Sequence, residues 1–245
     1  MCGRYASFRE TQDLADAFDL EDMAPDAAEL GPSWNIAPTD PVRIVVERSP
    51  KGAPADASPR RALHLARWGL VPGWAKAPSV GARMINARVE SLAEKPSFRR
   101  ALAARRCLVP ADGYFEWTAP PAGSPARAPK VAHWVHPADG RLLAFAGLYE
   151  FWRDKTRADD DPDRWLVTTT IVTGGAPEEG AVAALHDRRP VILDPSRWDA
   201  WLDPWLDGAA ALGQLIDPAP QLAERVVSTA VNAVGTNGPE LIDQR

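Results

Sequence analysis

Turn-forming residues are spread along almost the whole chain, and they limit the folds open to it more than any other feature. The 245 residues include 24 prolines and 17 glycines, many of them between short apolar runs. Both residue types interrupt helices and mark turns, because proline lacks a backbone donor and glycine adopts conformations closed to other residues. This distribution favours a strand-rich fold over a helical bundle. No repeat of fixed period and no regular alternation of strands with long helices is evident, which argues against a parallel α/β fold.

We therefore predict an α+β fold with a curved, mainly antiparallel β-sheet core, barrel-like, and short peripheral helices. The length and a hydrophobic content of 45% fit one domain over residues 1–245. Apolar spacing predicts strands at 42–47, 63–70, 131–135, 142–149, 165–172 and 225–228. It predicts helices at 9–20, 97–105 and 196–205, the second with Ser97 as its N-cap.

Turns and loops are predicted at three further places. Residues 107–110 and 114–117 are short apolar runs around Asp112-Gly113, a pattern typical of a hairpin. The segments 49–61 and 118–129 are low in complexity and predict loops. Helical spacing within 196–205 predicts a core-facing stripe made of Trp198, Trp201, Leu202 and Trp205.

Charge is unevenly distributed along the chain. The net charge is −5, but residues 83–106 carry seven basic residues against two acids, an excess of five. Acidic residues concentrate in 13–26 and 159–161. A chain of this kind can place one basic face against phosphates while its other faces keep it in solution. The alternative for Arg99, Arg100, Arg105 and Arg106 is the solvated face of an ordinary helix.

Cysteine content and hydropathy indicate the compartment. The two cysteines, Cys2 and Cys107, provide no disulfide framework, so we expect a reduced, cytoplasmic setting. No signal-peptide order and no apolar run of membrane-spanning length occurs, so we expect no membrane partner. Neither C-x-x-C nor H-E-x-x-H is present, so we expect no metal and no cofactor. We also expect a monomer.

A cysteine directly follows the initiator methionine. Aminopeptidases remove methionine before a small side chain, which would leave Cys2 with a free α-amine beside a free thiol. In model peptides such an amine titrates near ~8 and a thiol near ~8.5, so a fraction of each is nucleophilic at neutral pH. An aldehyde can form an imine with the amine, which the thiol then closes into a thiazolidine ring. The alternative is that Cys2 packs as a small apolar side chain.

Glu116 and His186 are candidate acid–base residues. Glu116 lies between Phe115 and Trp117 in an otherwise apolar run. Burial would raise its pKa and keep it protonated near neutral pH, which suits a general acid. The alternative is an outward-facing strand residue. His186 is one of four histidines, and a single histidine is more often structural than catalytic.

Six motifs occur in a characteristic order. They are Met1-Cys2-Gly3-Arg4-Tyr5, Trp34-Asn35-Ile36-Ala37-Pro38-Thr39, Trp68-Gly69-Leu70-Val71-Pro72, Ile85-Asn86-Ala87-Arg88-Val89-Glu90, Asp112-Gly113-Tyr114-Phe115-Glu116-Trp117 and His186-Asp187-Arg188-Arg189-Pro190. Together they resemble the SRAP family, the SOS-response-associated peptidases, whose members crosslink to abasic sites in single-stranded DNA. The resemblance covers residues 2–190, with a weaker echo at 226–241.

The resemblance implies a chemical role for three residues. The Cys2 amine would attack the C1′ aldehyde of the ring-opened sugar, and its thiol would close the ring. Glu116, in the G-[FY]-[FY]-E-W pattern, would move protons during ring opening and imine formation. His186, in the H-x-R-x-P pattern, would act as a second acid or base, also in reversal of the crosslink. The family name implies a self-processing peptidase activity, which here would expose Cys2.

The resemblance also implies contacts with single-stranded DNA that contains abasic sites. Asn86 and Arg88 would hold the sugar and its phosphate, and Arg4 would reach a neighbouring phosphate with the bidentate geometry of arginine. Arg188 joins this DNA-binding set. Trp74 would stack on a base, with a core tryptophan as the alternative.

Some points stay open in the sequence. Pro96 and Ser97 depart from the basic or long apolar residues of some family members, which leaves the DNA path unassigned. Either Thr170 or Thr173 could line the site. Two other functions are compatible with the residues: an amide hydrolase whose α-amine activates its own Cys2 thiol, and a non-catalytic single-strand binder that grips phosphate.

Overall fold

Two β-sheets form the framework of the protein. The computed structural model describes residues 2–49, 57–176, 179–215 and 220–245, so most of the predicted loop at 49–61 lies outside the described residues. The strands are β1 (Tyr5–Ser7), β2 (Asp22–Met23), β3 (Ser33–Ile36), β4 (Pro41–Arg48), β5 (Arg60–Trp68), β6 (Asn86–Arg88), β7 (Arg106–Ala111), β8 (Gly113–Thr118), β9 (Val131–Pro137), β10 (Leu143–Arg153), β11 (Trp165–Gly175), β12 (Arg188–Pro190) and β13 (Leu222–Val227). The α-helices are α1 (Thr11–Phe18), α2 (Pro25–Glu29), α3 (Pro96–Ala104), α4 (Trp198–Leu202) and α5 (Gly208–Gly213).

The larger sheet closes into a barrel. Its strands β5, β4, β7, β10 and β11 pair in that order, and β11 pairs back to β5. The first four pairs are antiparallel and the closing pair is parallel. Strand directions that alternate around five strands leave the first and last strand pointing the same way, so the closing pair has to be parallel. The predicted barrel-like, mainly antiparallel α+β core is confirmed.

Alternating side chains give this barrel an apolar inside and an apolar outside. Interior residues include Ile44 of β4, Val109 of β7, Phe145 of β10 and Ile171 of β11. The outward residues pack against the helices, in a cluster that includes Val45, Leu108, Leu148, Phe98 and Trp201. Burying a large apolar side chain contributes about 1.5–3 kcal/mol, which explains why such short helices stay docked.

The smaller sheet is antiparallel, with the order β3-β1-β8-β9-β13. Tyr5, Tyr114 and Val135 of this sheet pack with the barrel interior. Gly113 begins β8 where that strand approaches its neighbour β9 closely, because a Cβ there would lie 2.4 Å from the Val135 carbonyl oxygen. The smaller sheet therefore covers part of the barrel and carries the N-terminal residues to it.

The predicted hairpin of 107–110 with 114–117 is wrong. β7 belongs to the barrel and β8 to the smaller sheet, with Asp112 alone between them. The Asp112 carboxylate accepts from the Phe8 amide and from Arg9 Nε, each at 2.7 Å. The chain thus passes from the barrel to the smaller sheet at Asp112, which these hydrogen bonds hold in place, and Asp112 is not part of a hairpin turn.

The three predicted helices are present with shifted ends, as α1, α3 and α4, whereas α2 and α5 were not predicted. Ser97 is not the N-cap of α3, because Lys95 holds that position and Pro96 is the first helical residue, where its missing N–H costs little. Trp198, Trp201 and Leu202 are buried as predicted, but Trp205 is 68% exposed. α4 ends at Leu202 because Pro204 cannot continue the helix.

Among the described residues, no helix is long and apolar enough to cross a membrane.

Candidate active site

Cys2 lies in the apolar interior shared by the two sheets. It is fully buried and packs with Tyr5, Trp68 and Tyr114. Asn86 Nδ2 donates to its carbonyl oxygen at 2.7 Å, and its thiol donates to the Arg4 carbonyl at 3.7 Å. Burial, and then the charge of Glu116, raises the pKa of the Cys2 thiol. The cysteine is therefore held as a neutral thiol in a fixed position.

Glu116 is buried beside it, so the outward-facing alternative is wrong. Glu116 is 4% exposed and lies on the same face of β8 as Tyr114. Burial raises the pKa of the Glu116 carboxyl, the Asp187 carboxylate raises it further, and Lys130 lowers it. Tyr114 packs in the same cluster as Cys2, so Glu116 faces the side of the sheet on which the cysteine lies, and its charge raises the pKa of both Cys2 and Tyr114.

His186 lies just before β12 and is partly accessible. The side chain is 33% exposed, and its Nδ1 lies 3.0 Å from the Arg188 amide nitrogen and 2.6 Å from Asp187 Oδ1. The neutral ring can accept from the amide, and the protonated ring can donate to the carboxylate. Burial lowers the pKa of His186, which favours the neutral, proton-accepting form near pH 7.

Lys130 is a charged neighbour that the sequence did not indicate. It is exposed, immediately before β9, and its charge lowers the pKa of both Glu116 and His186. It follows the low-complexity segment at 118–129, where no motif marks it. The structure thus shows that one cation is shared by the two candidate acid–base residues.

Asn86 connects β6 to the cysteine. β6 pairs with β11, with Asn86 opposite Ile171 and Arg88 opposite Thr173. Asn86 Nδ2 is used on Cys2, whereas no described residue donates to its buried Oδ1. Arg88 is exposed. The Asn86 side-chain amide therefore fixes the Cys2 backbone, and its Oδ1 can still accept a hydrogen bond from a further group.

The structure distinguishes the two threonines. Thr173 is two residues from Ile171, so both side chains lie on the same side of β11. Ile171 packs in the cluster around Cys2. Thr170 has the parity of Val172, which packs among the helices. Thr173 is therefore the threonine that lies on the Cys2 side of β11.

Two of the predicted DNA-binding arginines make extensive contacts within the protein. Arg4 Nη1 donates to Asn35 Oδ1 and to the Val231 carbonyl, each at 2.7 Å. Arg188 binds both Glu90 oxygens at 3.1 and 3.0 Å and donates to the Thr173 carbonyl at 2.7 Å. Arg188 uses bidentate geometry on a carboxylate, whereas Arg4, for which a bidentate contact with phosphate is predicted, is held by two carbonyl oxygens. DNA contact by these arginines stays a prediction.

Asn35 holds the C-terminal segment against the N-terminal strand. It is 5% exposed, and its Nδ2 donates to the carbonyl oxygens of Ala233 at 3.1 Å and Thr236 at 2.8 Å. Through Arg4 it also reaches Val231. The sequence motif around Trp34-Asn35 therefore serves, at least in part, to anchor this segment.

Trp74 does not join the Cys2 cluster. It is 65% exposed, so the core alternative is wrong, and it lines a separate groove. Among the described residues, no group of three or more His, Cys, Asp or Glu side chains is arranged to hold a metal ion.

This arrangement has counterparts in known proteins. The sequence model of the SOS response associated peptidase (SRAP) family matches residues 1–234. The chain belongs to this family. "Abasic site processing protein YoqW" of Bacillus subtilis is 37% identical over 99% of each chain. "Abasic site processing protein YedK" of Escherichia coli is 32% identical, again over 99% of each chain. "Abasic site processing protein HMCES" of Gallus gallus is 32% identical over 86% of this SRAP chain and 66% of its own.

Solved structures share the fold. A protein from Bacteroides thetaiotaomicron superimposes with a TM-score of 0.79 over the whole of both chains at 21% identity. A phage-related protein from Bordetella bronchiseptica gives a TM-score of 0.64 at 28% identity, covering 92% of the SRAP chain and 94% of its own.

Proposed function

We propose that this SRAP protein processes abasic sites in single-stranded DNA by forming a thiazolidine crosslink through Cys2 after loss of Met1. The observation that carries this proposal is that Asn86 holds the Cys2 backbone at 2.7 Å, while Glu116 is buried on the face of β8 whose Tyr114 packs in the Cys2 cluster. The family membership and the names of its relatives support the same activity. The protein would act as a monomer in the cytoplasm, on the nucleoid where DNA is damaged.

Removal of Met1 is the first requirement. Cys2 is fully buried in the chain that retains Met1, so processing has to free its amine and open a path for the sugar. The self-processing activity in the family name would correspond to this step. Purified full-length protein that loses the mass of one methionine without an added aminopeptidase would support it.

The chemistry then balances without a cofactor. The Cys2 amine attacks C1′ of the open-chain sugar, and the carbinolamine oxygen leaves as water after protonation by Glu116. The imine that remains accepts the Cys2 sulfur at C1′. The thiol proton passes through Glu116 or His186 to the nitrogen, which completes the five-membered ring.

The environment of the two acids fits these steps. A carboxyl whose pKa is raised by burial keeps its proton to a higher pH than an exposed carboxyl does, which favours a general acid. A histidine whose pKa is lowered accepts a proton. Asn86 Oδ1 would accept from the amine or from a sugar hydroxyl, and Arg88 and Arg4 would contact phosphates.

The test is adduct formation with an oligonucleotide that contains one abasic site. Protein without Met1 should give a product that survives denaturing electrophoresis, with a mass equal to protein plus DNA minus one water. Cys2→Ala should give none, and Cys107→Ala, the matched control at the other buried cysteine, should react as the parent does. A persistent adduct in Cys2→Ala would show that another group reacts.

A further inference from the structure

An open groove lies beside the ends of β10 and β11 that are remote from Thr173. Its volume is about 770 Å³. We call it the tryptophan groove, defined by Trp74, Trp165, Phe151, Arg100, Arg105 and Glu150. Cys2, Glu116 and His186 do not line it. The groove is therefore distinct from the candidate active site.

Its two tryptophans differ from the buried ones. The core residues Trp68, Trp152 and Trp201 each donate their indole N–H to a backbone carbonyl at 2.8–2.9 Å. Trp74 and Trp165 are instead 65% and 52% exposed. Large aromatic surfaces left open in one groove are the surfaces on which unpaired nucleobases stack.

The charge of the groove fits a polyanion. Arg105 is neutralised by Glu150 at 2.7 Å, whereas the exposed Arg100 meets no carboxylate among the described residues. The Arg164 guanidinium lies 5.8 Å from the centroid of the Trp165 ring, but Asp159 neutralises it at 2.9 Å, so Arg100 is the groove's unpaired cation among the described residues. Aromatic faces next to a free guanidinium match the alternation of bases and phosphates in a single strand. A duplex offers its phosphates but not its base faces.

β11 connects the groove to the reacting end of the protein. Trp165 is its first residue and Thr173 lies near its other end. Eight residues of strand span about 26 Å. At the stacked spacing of about 3.4 Å this is at most about eight nucleotides, and fewer in a stretched strand.

We propose that the tryptophan groove binds the single-stranded DNA on one side of the abasic nucleotide. Unpaired bases stack on Trp74 and Trp165, and Arg100 contacts a phosphate. This inference rests on the proposed function, which supplies the ligand. It adds a second contact with the DNA strand at a distance from the crosslink.

The experiment measures non-covalent binding so that it does not depend on the crosslink. The Cys2→Ala protein is titrated by fluorescence anisotropy against oligonucleotides with a tetrahydrofuran abasic analogue, which has no aldehyde. One carries about ten nucleotides on the 5′ side, one about ten on the 3′ side, and one about two on both sides, lengths chosen from the span above. Trp165→Ala, Arg100→Ala and the rescue variant Trp165→Phe are compared in this background. Trp205→Ala, at a tryptophan 68% exposed elsewhere, is the matched control.

One long-armed oligonucleotide should bind the parent at least about fivefold more tightly than the short one. Trp165→Ala and Arg100→Ala should remove most of that gain without changing affinity for the short oligonucleotide. Trp165→Phe should retain it, and Trp205→Ala should have no effect. Equal affinity for all three oligonucleotides, or an equal loss on all three in Trp165→Ala, would overturn the proposal. If protein that retains Cys2 forms no adduct while this length dependence is intact, the proposed crosslink is rejected but the proposed DNA binding in the groove is not.

Discussion

The two ends of β11 show opposite uses of their side chains. Around Thr173, Asn86 is bonded to Cys2 and Arg188 is clamped by Glu90. Around Trp165, two indole faces and Arg100 are open. Reacting groups at the first end are oriented before a substrate arrives, which lowers the cost of reaching the reactive geometry. Groups at the second end keep their surfaces for a ligand.

The sharpest test of this contrast compares two buried carboxyls. Glu116→Gln keeps the size of the side chain but removes its proton transfer, so crosslink formation should slow by about 10²-fold or more. Glu150→Gln, at the groove end and similarly buried with 9% exposure, should leave the rate at saturating DNA unchanged. Single-turnover rates on denaturing gels measure both. Equal rates for Glu116→Gln and the parent would remove Glu116 from the chemistry.

His186 should have the next largest effect. His186→Ala removes a base, and we expect formation or reversal of the crosslink to slow by about 10²-fold. Because burial lowers the pKa of His186, its neutral form persists below pH 6.5, so the parent rate should show a further loss as the pH drops through that lowered pKa, in addition to the loss caused by protonation of the Cys2 amine. The variant should lack this further loss. If the crosslinking rate of the variant depends on pH as that of the parent does, a group other than His186 causes the further loss of rate at low pH.

The thiols offer a smaller contrast within the buried interior. Burial raises the pKa of Cys107 to about 12, and Thr169 Oγ1 lies 3.5 Å from its sulfur. Iodoacetamide at about pH 8 should leave Cys107 unmodified in every form of the protein. After loss of Met1, Cys2 should become the site that alkylates first, as located by peptide mass. Faster labelling of Cys107 would contradict the path to Cys2.

The smallest effect is expected at the Arg188 clamp. Glu90 is exposed enough that its pair with Arg188 contributes at most about 1 kcal/mol to the free energy of unfolding. Glu90→Gln should therefore lower Tm by only a few degrees, measured by calorimetry. The variant also frees the guanidinium for phosphate, so tighter binding to a short abasic oligonucleotide would assign Arg188 to DNA.

Local patterns predicted much of this molecule. Alternating apolar residues located the barrel strands, and the motifs directed attention to Cys2, Glu116 and Asn86, which the structure brings together. The hairpin at Asp112 was misjudged because turn residues between two apolar runs do not reveal that the runs join different sheets. Trp205 was predicted to face the core because helical spacing was extended past Pro204, where the helix cannot continue.

Other features depend on long-range packing that no local pattern reports. Lys130 acts on Glu116 and His186 only because β9 lies beside β8. Strand parity separates Thr173 from Thr170 only once the register of β11 is known. The tryptophan groove gathers Trp74, Arg100 and Trp165 from three separate segments, so its composition cannot be read along the chain.

The Asn35 contacts to Ala233 and Thr236 have a consequence for the order of events during synthesis. The anchor for Arg4, two residues from Cys2, consists partly of backbone that comes much later in the chain. The contacts around Arg4 can therefore form only after residues 231–236 have been synthesised, so the surroundings of the reacting terminus are completed late.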